Sequence, residues 1–473
     1  MHWTGKNKNE ATIPSVPITP SILTRLYLEV LPTMASTSHI RELPGFPRIS
    51  VVVCYAVVLI ALLIFYRLYL SPISNVPGPR RAATTRLWHM YEIWTGRQNL
   101  TILRLHEKYG QFVRIAPNEV SIAHPEAIKK LILTPQFKGH WYKMMRFPDW
   151  RFRSTMSILE PKEKIELSKQ FSSAYAMSNV IKSEEYVSTL IEALTKWMDK
   201  YAASHEPMDL AKFFTFTAFD VVGEVVFSKP FGFLEKGVDL DDSISQTLGF
   251  ERYISVAAFV QFLHNFLIAN PFVTWLDIIP TNYLVKTSNA ALDERKKNED
   301  ARFDFVAHWL KAHERNPGKL PYRDLQAAVM ANVGAGSDTI SCALQSTVYH
   351  MIRHPNAWSR ARQEIDQAIQ GDEICRDRII SYADAQQLPY LHACIREALR
   401  IFHPVSMGTP RVAPTGGITI GGRFFPAGTI LSLNTFSMNL LKEVWGPDAQ
   451  EYKPERWMVE DTTELEKKFL PAG

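Results

Sequence analysis

Five residues, Gly334, Gly336, Ser337, Asp338 and Thr339, interrupt an otherwise apolar, helix-like run, "ANVGAGSDTISCAL". Glycine costs about 1 kcal/mol relative to alanine inside a helix, and a buried carboxylate costs more unless it is paired. Grouped this way, the residues can serve chemistry. Gly334 and Gly336 let a ligand approach the backbone and let the hydrogen-bond ladder open locally. Asp338 and Thr339 then supply an acid and an alcohol suited to relaying protons to something bound against the helix. A plainer reading stands beside this one: close packing on a neighbouring helix, with Asp338 capping or ion-paired. A second constellation is Glu397 and Arg400 in "LHACIREALR". Three apart, they share one helix face, and apolar Ile395, Leu399 and Ile401 flank them, so the pair points inward. A buried ion pair needs further partners to offset its desolvation, and Arg456 of "EYKPERW" is the candidate. The third is Arg411, at the start of the extended stretch "TPRVAPTGG", where a guanidinium can hold a carboxylate bidentately. An ordinary exposed arginine is the competing reading there.

The elements that must position these residues are mostly helical. The chain has 473 residues, 46% of them hydrophobic, enough for a substantial core. A net charge of +5 is spread along it rather than massed, so no nucleic-acid partner is indicated. The four cysteines, Cys54, Cys342, Cys375 and Cys394, lie far apart with no CxxC pair, which argues against a disulfide scaffold and against a zinc finger. Residues 1–45, polar and rich in Pro and Thr, read as a disordered leader, or as sequence upstream of a start at Met34. Residues 46–70 read as a transmembrane anchor, since "ISVVVCYAVVLIALLIFY" carries no charge and nears the roughly 20 apolar residues that span a bilayer. Arg67, Arg80, Arg81 and Arg86 follow it, which puts the C-terminal part in the cytosol. Residues 71–81, with "NVPGPRR", read as a Pro/Gly hinge.

Residues 82–473 then read as one mainly α globule with a small β portion at each end. "QFVRIAPNEVSIAH" alternates as a hairpin, with Val113, Ile115, Val120 and Ile122 apolar. From Lys162 to about Arg400 nearly every segment has helical period. "GGITIGGRFFPAGTILSLN" is Gly-rich and β-branched, with hairpin signals at Gly416-Gly417 and Gly421-Gly422. The aromatic-rich "GFERYISVAAFVQFLHNFLIANPF", with Phe250, Tyr253, Phe259, Phe262 and Phe266, reads as plain core by its helical spacing, while its aromatic content suggests an apolar substrate.

The order AGSDT, ExxR, "HP…PR…PAGT", "WGPDAQEYKPERW" resembles the cytochrome P-450 family of haem-thiolate monooxygenases. "VPGP", "LHEKYGQFVRIAPNEVSIAHPEAI" and "FTFTAFDVVGEVVFSKPFGFLE" resemble segments of fungal membrane-bound members, pisatin-demethylase-like enzymes of secondary metabolism among them. The resemblance covers residues 76–457. It implies the cytochrome P-450 fold, with Gly336, Asp338 and Thr339 over a haem and the last two delivering protons to bound dioxygen. It implies a structural network of Glu397, Arg400 and Arg456, and Arg411 on a haem propionate. It further implies an NADPH-cytochrome reductase as electron donor, a small apolar organic substrate, and an endoplasmic reticulum membrane location with a single-pass anchor.

Two features depart from the family pattern. Its F-x-x-G-x-R-x-C-x-G loop, whose cysteine thiolate ligates the iron, and the helix after that loop are missing, because the sequence closes on "EKKFLPAG". The expectation is therefore a C-terminally incomplete domain with no metal ligand among its residues, so that a catalytically inactive remnant or a membrane-tethered non-enzymatic protein competes with the monooxygenase. In addition, "PKEKIELSKQF" carries Lys164 and Ser168 where many fungal relatives carry a histidine or tryptophan and then an arginine as propionate ligands. Lys164 as a point charge on a propionate competes with a solvated lysine.

Overall fold

In the computed structural model, the described residues are 49–276, 283–297, 302, 304–371 and 379–470. The leader at 1–45, Cys375 and residues 471–473 lie outside them. The N-terminal apolar run folds as α1 (Ile49–Phe65) and continues in a π-helical turn through Leu70. Residues Val51–Leu70 are long and apolar enough to cross a membrane, and none of that window is buried.

The rest is mainly helical, as its periodicity predicts. In chain order the elements that frame the site are α2 (Leu87–Trp94), β1 (Phe112–Ala116), β2 (Glu119–Ile122), α3 (Pro161–Phe171), α4 (Glu184–Ser204), α5 (Leu210–Phe227) and α6 (Ser243–Ala257). Then follow α7 (Tyr322–Arg353), α8 (Pro355–Gln370), α9 (Pro389–Ile401), β3 (Thr409–Val412), β4 (Ile418–Ile420), β5 (Arg423–Phe425) and β6 (Ile430–Leu433). Their starts are chemically marked. Proline occupies the first turn of α3, α8 and α9, where a missing N–H costs nothing. The Asp209 carboxylate caps α5 by accepting from the Lys212 amide.

The long helix α7, about 48 Å at 1.5 Å per residue, is the axis of the domain. α5 packs along it more extensively than any other helix. α5 is apolar around nearly its whole circumference and correspondingly buried, with Phe213, Phe216, Phe219 and Val226 in one core with Trp309, Val329 and Val333.

The β regions predicted at the two ends of the sequence meet in one sheet of order β1-β2-β6-β3. β1 and β2 form the predicted antiparallel hairpin, Phe112 opposite Ile122. β6 runs parallel to β2, Glu119 opposite Ile430, and antiparallel to β3, Arg411 opposite Leu431. Gly421 and Gly422, with φ of 55° and 74°, turn the separate β4–β5 hairpin, a two-residue loop that needs left-handed backbone at both positions. Gly416-Gly417 does not close a hairpin. It leads the chain out of β3, which pairs with β6, into the other sheet. Val120, Ile122, Leu431 and Leu433 anchor a second core that also holds Trp445 and Trp457.

Upstream of β1, the Pro-Gly segment is held against that strand. The Arg114 amide donates to the Pro77 carbonyl at 2.8 Å, and a Cβ on Gly78 would lie 2.4 Å from the Arg114 carbonyl oxygen. The buried Arg114 guanidinium donates to the carbonyls of Arg67 and Pro117 at 2.8 and 2.7 Å.

Candidate functional site

The charge network is the most fully built feature. Glu397 and Arg400 on α9 are both wholly buried, and the guanidinium donates bidentately to the carboxylate, 2.8 Å from Nε and 2.8 Å from Nη2. Its remaining N–H groups reach the backbone carbonyls of Asn439 (2.5 Å), Ala449 (2.6 Å) and Glu451 (3.1 Å). The carboxylate also accepts from the Trp457 indole at 2.9 Å and the Lys453 amide at 3.1 Å. Arg456 closes the network, 3.4 Å from Glu397 and 3.1 Å from Asp448. The inward-facing pair and its third member are thus together, and α9 is tied to the loop around Pro454–Trp457.

On α7 the helix is unbroken from Tyr322 to Arg353, so the ladder does not open at the glycines. The Thr339 hydroxyl donates to the carbonyls of Ala335 and Gly336, at 3.0 and 3.3 Å, within its own helix. A Cβ on Gly336 would sit 3.2 Å from a Val222 methyl of α5, so this glycine serves close helix packing, whereas Gly334 has nothing within 4 Å. Among the described residues, Asp338 caps no helix and has no basic partner. Its carboxyl lies within hydrogen-bonding reach of Glu251 on α6. Burial first, and then Asp338, push the Glu251 carboxyl up to about 9, so Glu251 holds its proton at neutral pH. The same two acids, together with burial, raise the Cys342 thiol one turn along α7.

Arg411 lies on β3, its Nη1 3.2 Å from the Tyr142 hydroxyl and 3.1 Å from the Pro410 carbonyl. Across an isolated bridge from it stands Lys138, buried, with its ammonium 4.9 Å from the centre of the Tyr142 ring and donating to the carbonyls of Thr155 and Met156 at 2.7 and 2.8 Å. Burial, then Lys164, then Arg411 lower the Lys138 ammonium to about 7. Three cations therefore share one region, and among the described residues no carboxylate stands among the partners of Lys138 or Arg411. Lys164 itself is on the exposed side of α3.

Sequence reasoning missed Lys138 and Glu251. Neither sits in a spacing that carries a signal, because each acts on a residue far away in the chain. The aromatic stretch is divided, with Phe259 lining a cavity and its later rings facing solvent. Phe262 and Phe266 are 85% and 71% exposed, while Tyr253 turns its hydroxyl to His264 at 2.9 Å.

None of the described cysteines has the environment of a metal ligand. Cys54 is exposed on the apolar helix α1. The Cys394 thiol is fully buried on α9 and raised to about 11, chiefly by desolvation. No cluster of three or more metal-ligating side chains occurs among the described residues.

Residues 77–473 match the family described as Cytochrome P450. The chain is similar to Cytochrome P450 monooxygenase mpaDE of Penicillium roqueforti (strain FM164), 31% identical over 423 residues that make up 86% of this chain and 49% of that relative. It thus spans about half the length of mpaDE. Cytochrome P450 monooxygenase gsfF of Penicillium aethiopicum is 29% identical over 84% of this chain and 81% of its own. Pisatin demethylase of Fusarium vanettenii is 28% identical over 83% and 76%.

Proposed function

The chain belongs to the cytochrome P450 family, and from that premise we propose that it is a haem-dependent monooxygenase of fungal secondary metabolism acting on a small apolar organic substrate. The observation that carries this reading is the group of three cations, of which Lys138 and Arg411 have no carboxylate partner among the described residues. Lys138, Arg411 and, at longer range, Lys164 suit a ligand bearing carboxylates, as the haem propionates are. Lys138 is the most informative of the three. Burial depresses a lysine that only an approaching anion would restore to full charge.

Haem, when bound, activates dioxygen so that one oxygen atom enters the substrate, with electrons drawn from NADPH through a flavoprotein reductase. The residues of this chain have simpler tasks. Arg411 and Lys138 would hold the carboxylates of haem, Tyr142 braces both cations, and Glu397, Arg400 and Arg456 fix the loop that α9 carries. Glu251 keeps a proton at Asp338, beside the Thr339 hydroxyl, where an acid and an alcohol can pass it onward. The described residues suit the anionic rim of the cofactor, and no thiolate for its iron stands among them. We further place the Val51–Leu70 span in the endoplasmic reticulum membrane, with the helical domain on the cytosolic side.

Titration of the purified chain with haem, followed by the Soret absorption, tests the cradle. Lys138→Met and Arg411→Met should each weaken binding about 10- to 100-fold, the scale of one charge-assisted hydrogen bond. Equal affinities in all three proteins would refute the cradle. The reduced, carbon-monoxide-bound spectrum then tests the oxygenase reading: a strongly red-shifted Soret band requires a thiolate ligand, and its absence would count against that reading.

A further inference from the structure

Away from the three cations, a cavity of about 170 Å³ opens between α2, the sheet and the segment after α6. Its walls combine apolar surface, from Trp141, Phe259 and Met407, with one unusual polar group, His89. The imidazole is 3% exposed, and neither ring nitrogen has a hydrogen-bond partner. Buried polar side chains are nearly always satisfied, so such a group calls for an explanation. Phe259 covers the ring, with centroids 5.6 Å apart. Burial lowers His89 to about 4, so it is neutral and offers one N–H donor and one bare nitrogen acceptor.

The other charges at this cavity are already matched. Arg86 pairs with Glu119 at 2.5 Å, Glu119 accepts from Ser432 at 2.6 Å, and the Arg86 guanidinium lies 4.9 Å from the Phe259 ring centre. The one other titratable wall group, His140, is exposed at the rim, so a charged ligand would meet no buried uncompensated partner among the lining residues. The volume is close to that of a cavity known to admit a single benzene ring. Pro410 lines this cavity while the adjacent Arg411 turns to Tyr142, as alternation along a strand requires, so the two sites lie on opposite faces of β3.

We propose that this cavity is a binding site for a small, neutral, hydroxyl-bearing aromatic molecule, a phenol, whose hydroxyl bonds the His89 imidazole while its ring lies against Trp141 and Phe259. The site stands on its own residues and does not depend on the haem reading.

The test uses the full chain labelled with ¹⁵N-histidine, with 4-fluorophenol and fluorobenzene as probes followed by ¹⁹F NMR. 4-Fluorophenol should bind saturably, shift the His89 ring nitrogens, and bind about tenfold more tightly than fluorobenzene, one hydrogen bond's worth of selectivity. His89→Phe should abolish that preference. Ala258→Leu narrows the cavity without touching the imidazole and should weaken 4-fluorophenol by at least tenfold, which keeps the test decisive should His89→Phe fail to fold. Unshifted His89 nitrogens, equal affinity for the two probes in the unmodified protein, or undiminished binding in Ala258→Leu would each overturn the proposal.

Discussion

Removing Arg400 should unseat the loop that α9 carries, and the size of the effect follows from its bonds. In Arg400→Met the Glu397 carboxylate stays buried with its bidentate partner gone, a loss of about 3–5 kcal/mol. The carbonyls of Asn439, Ala449 and Glu451 lose their donor as well, adding about 1–3 kcal/mol between them once partial rehydration is allowed. Against a typical total of about 5–15 kcal/mol, this is severe. Urea unfolding followed by tryptophan fluorescence reads it directly, because the guanidinium lies 5.0 Å from the Trp445 ring and Trp457 donates to Glu397. The decisive comparison is Glu397→Leu/Arg400→Met. An isolated buried pair can be exchanged for apolar residues at little loss or even a gain. Here the exchange would also strand three carbonyls, the Trp457 indole N–H and the Lys453 amide, so the double variant should remain at least about 3 kcal/mol below the parent. A double variant as stable as the parent would refute the view that these outer bonds, and not the pair alone, hold the loop.

Four further outcomes are expected. Because Glu251 binds its proton more tightly folded than unfolded, stability should fall as pH rises from the ordinary carboxyl range toward 9; urea midpoints at pH 6 and 8.5 should show it in the parent and a flatter profile in Glu251→Gln. Gly78→Ala should lower stability by about 1–3 kcal/mol in thermal unfolding, since its Cβ would press on backbone that cannot rotate away. Cys394 should resist iodoacetamide at pH 8 until the protein unfolds, as peptide mass analysis would show. Gly336→Ala should be close to neutral in the parent, helix propensity against the Val222 contact, but stabilising by up to about 1 kcal/mol when Val222 is alanine, measured as a double-mutant cycle in urea.

What the sequence revealed and what it concealed divide along the range of the interaction. Glu397 and Arg400 could be found because an i, i+3 acid–base pair among apolar neighbours has one economical placement, and the chain adopts it. The hairpin of β1 and β2 was legible for the same reason: alternation and a turn are local signals. The parallel pairing of β2 with β6 was not, since nothing in either strand names a partner some 310 residues away. Lys138 belongs to that second class, because its meaning lies in Arg411 across the bridge and in Lys164 on another helix.

The glycine-acid-alcohol segment of α7 shows why its two readings, packing and chemistry, could not be separated from residue types alone. At 3.6 residues per turn, Asp338 is rotated about 200° from Gly336 around the helix axis. One direction meets α5, where a Cβ at position 336 would press on the Val222 methyl at 3.2 Å. The other meets α6, where Glu251 shares a proton with the Asp338 carboxyl. Packing set the glycine and electrostatics set the acid, two residues apart. A motif that looks single in sequence is therefore two adaptations to different neighbours. A residue larger than alanine at Gly336 should move stability while leaving the acid pair's pH response intact, and Glu251→Gln should flatten that response while leaving the α5 contact unchanged.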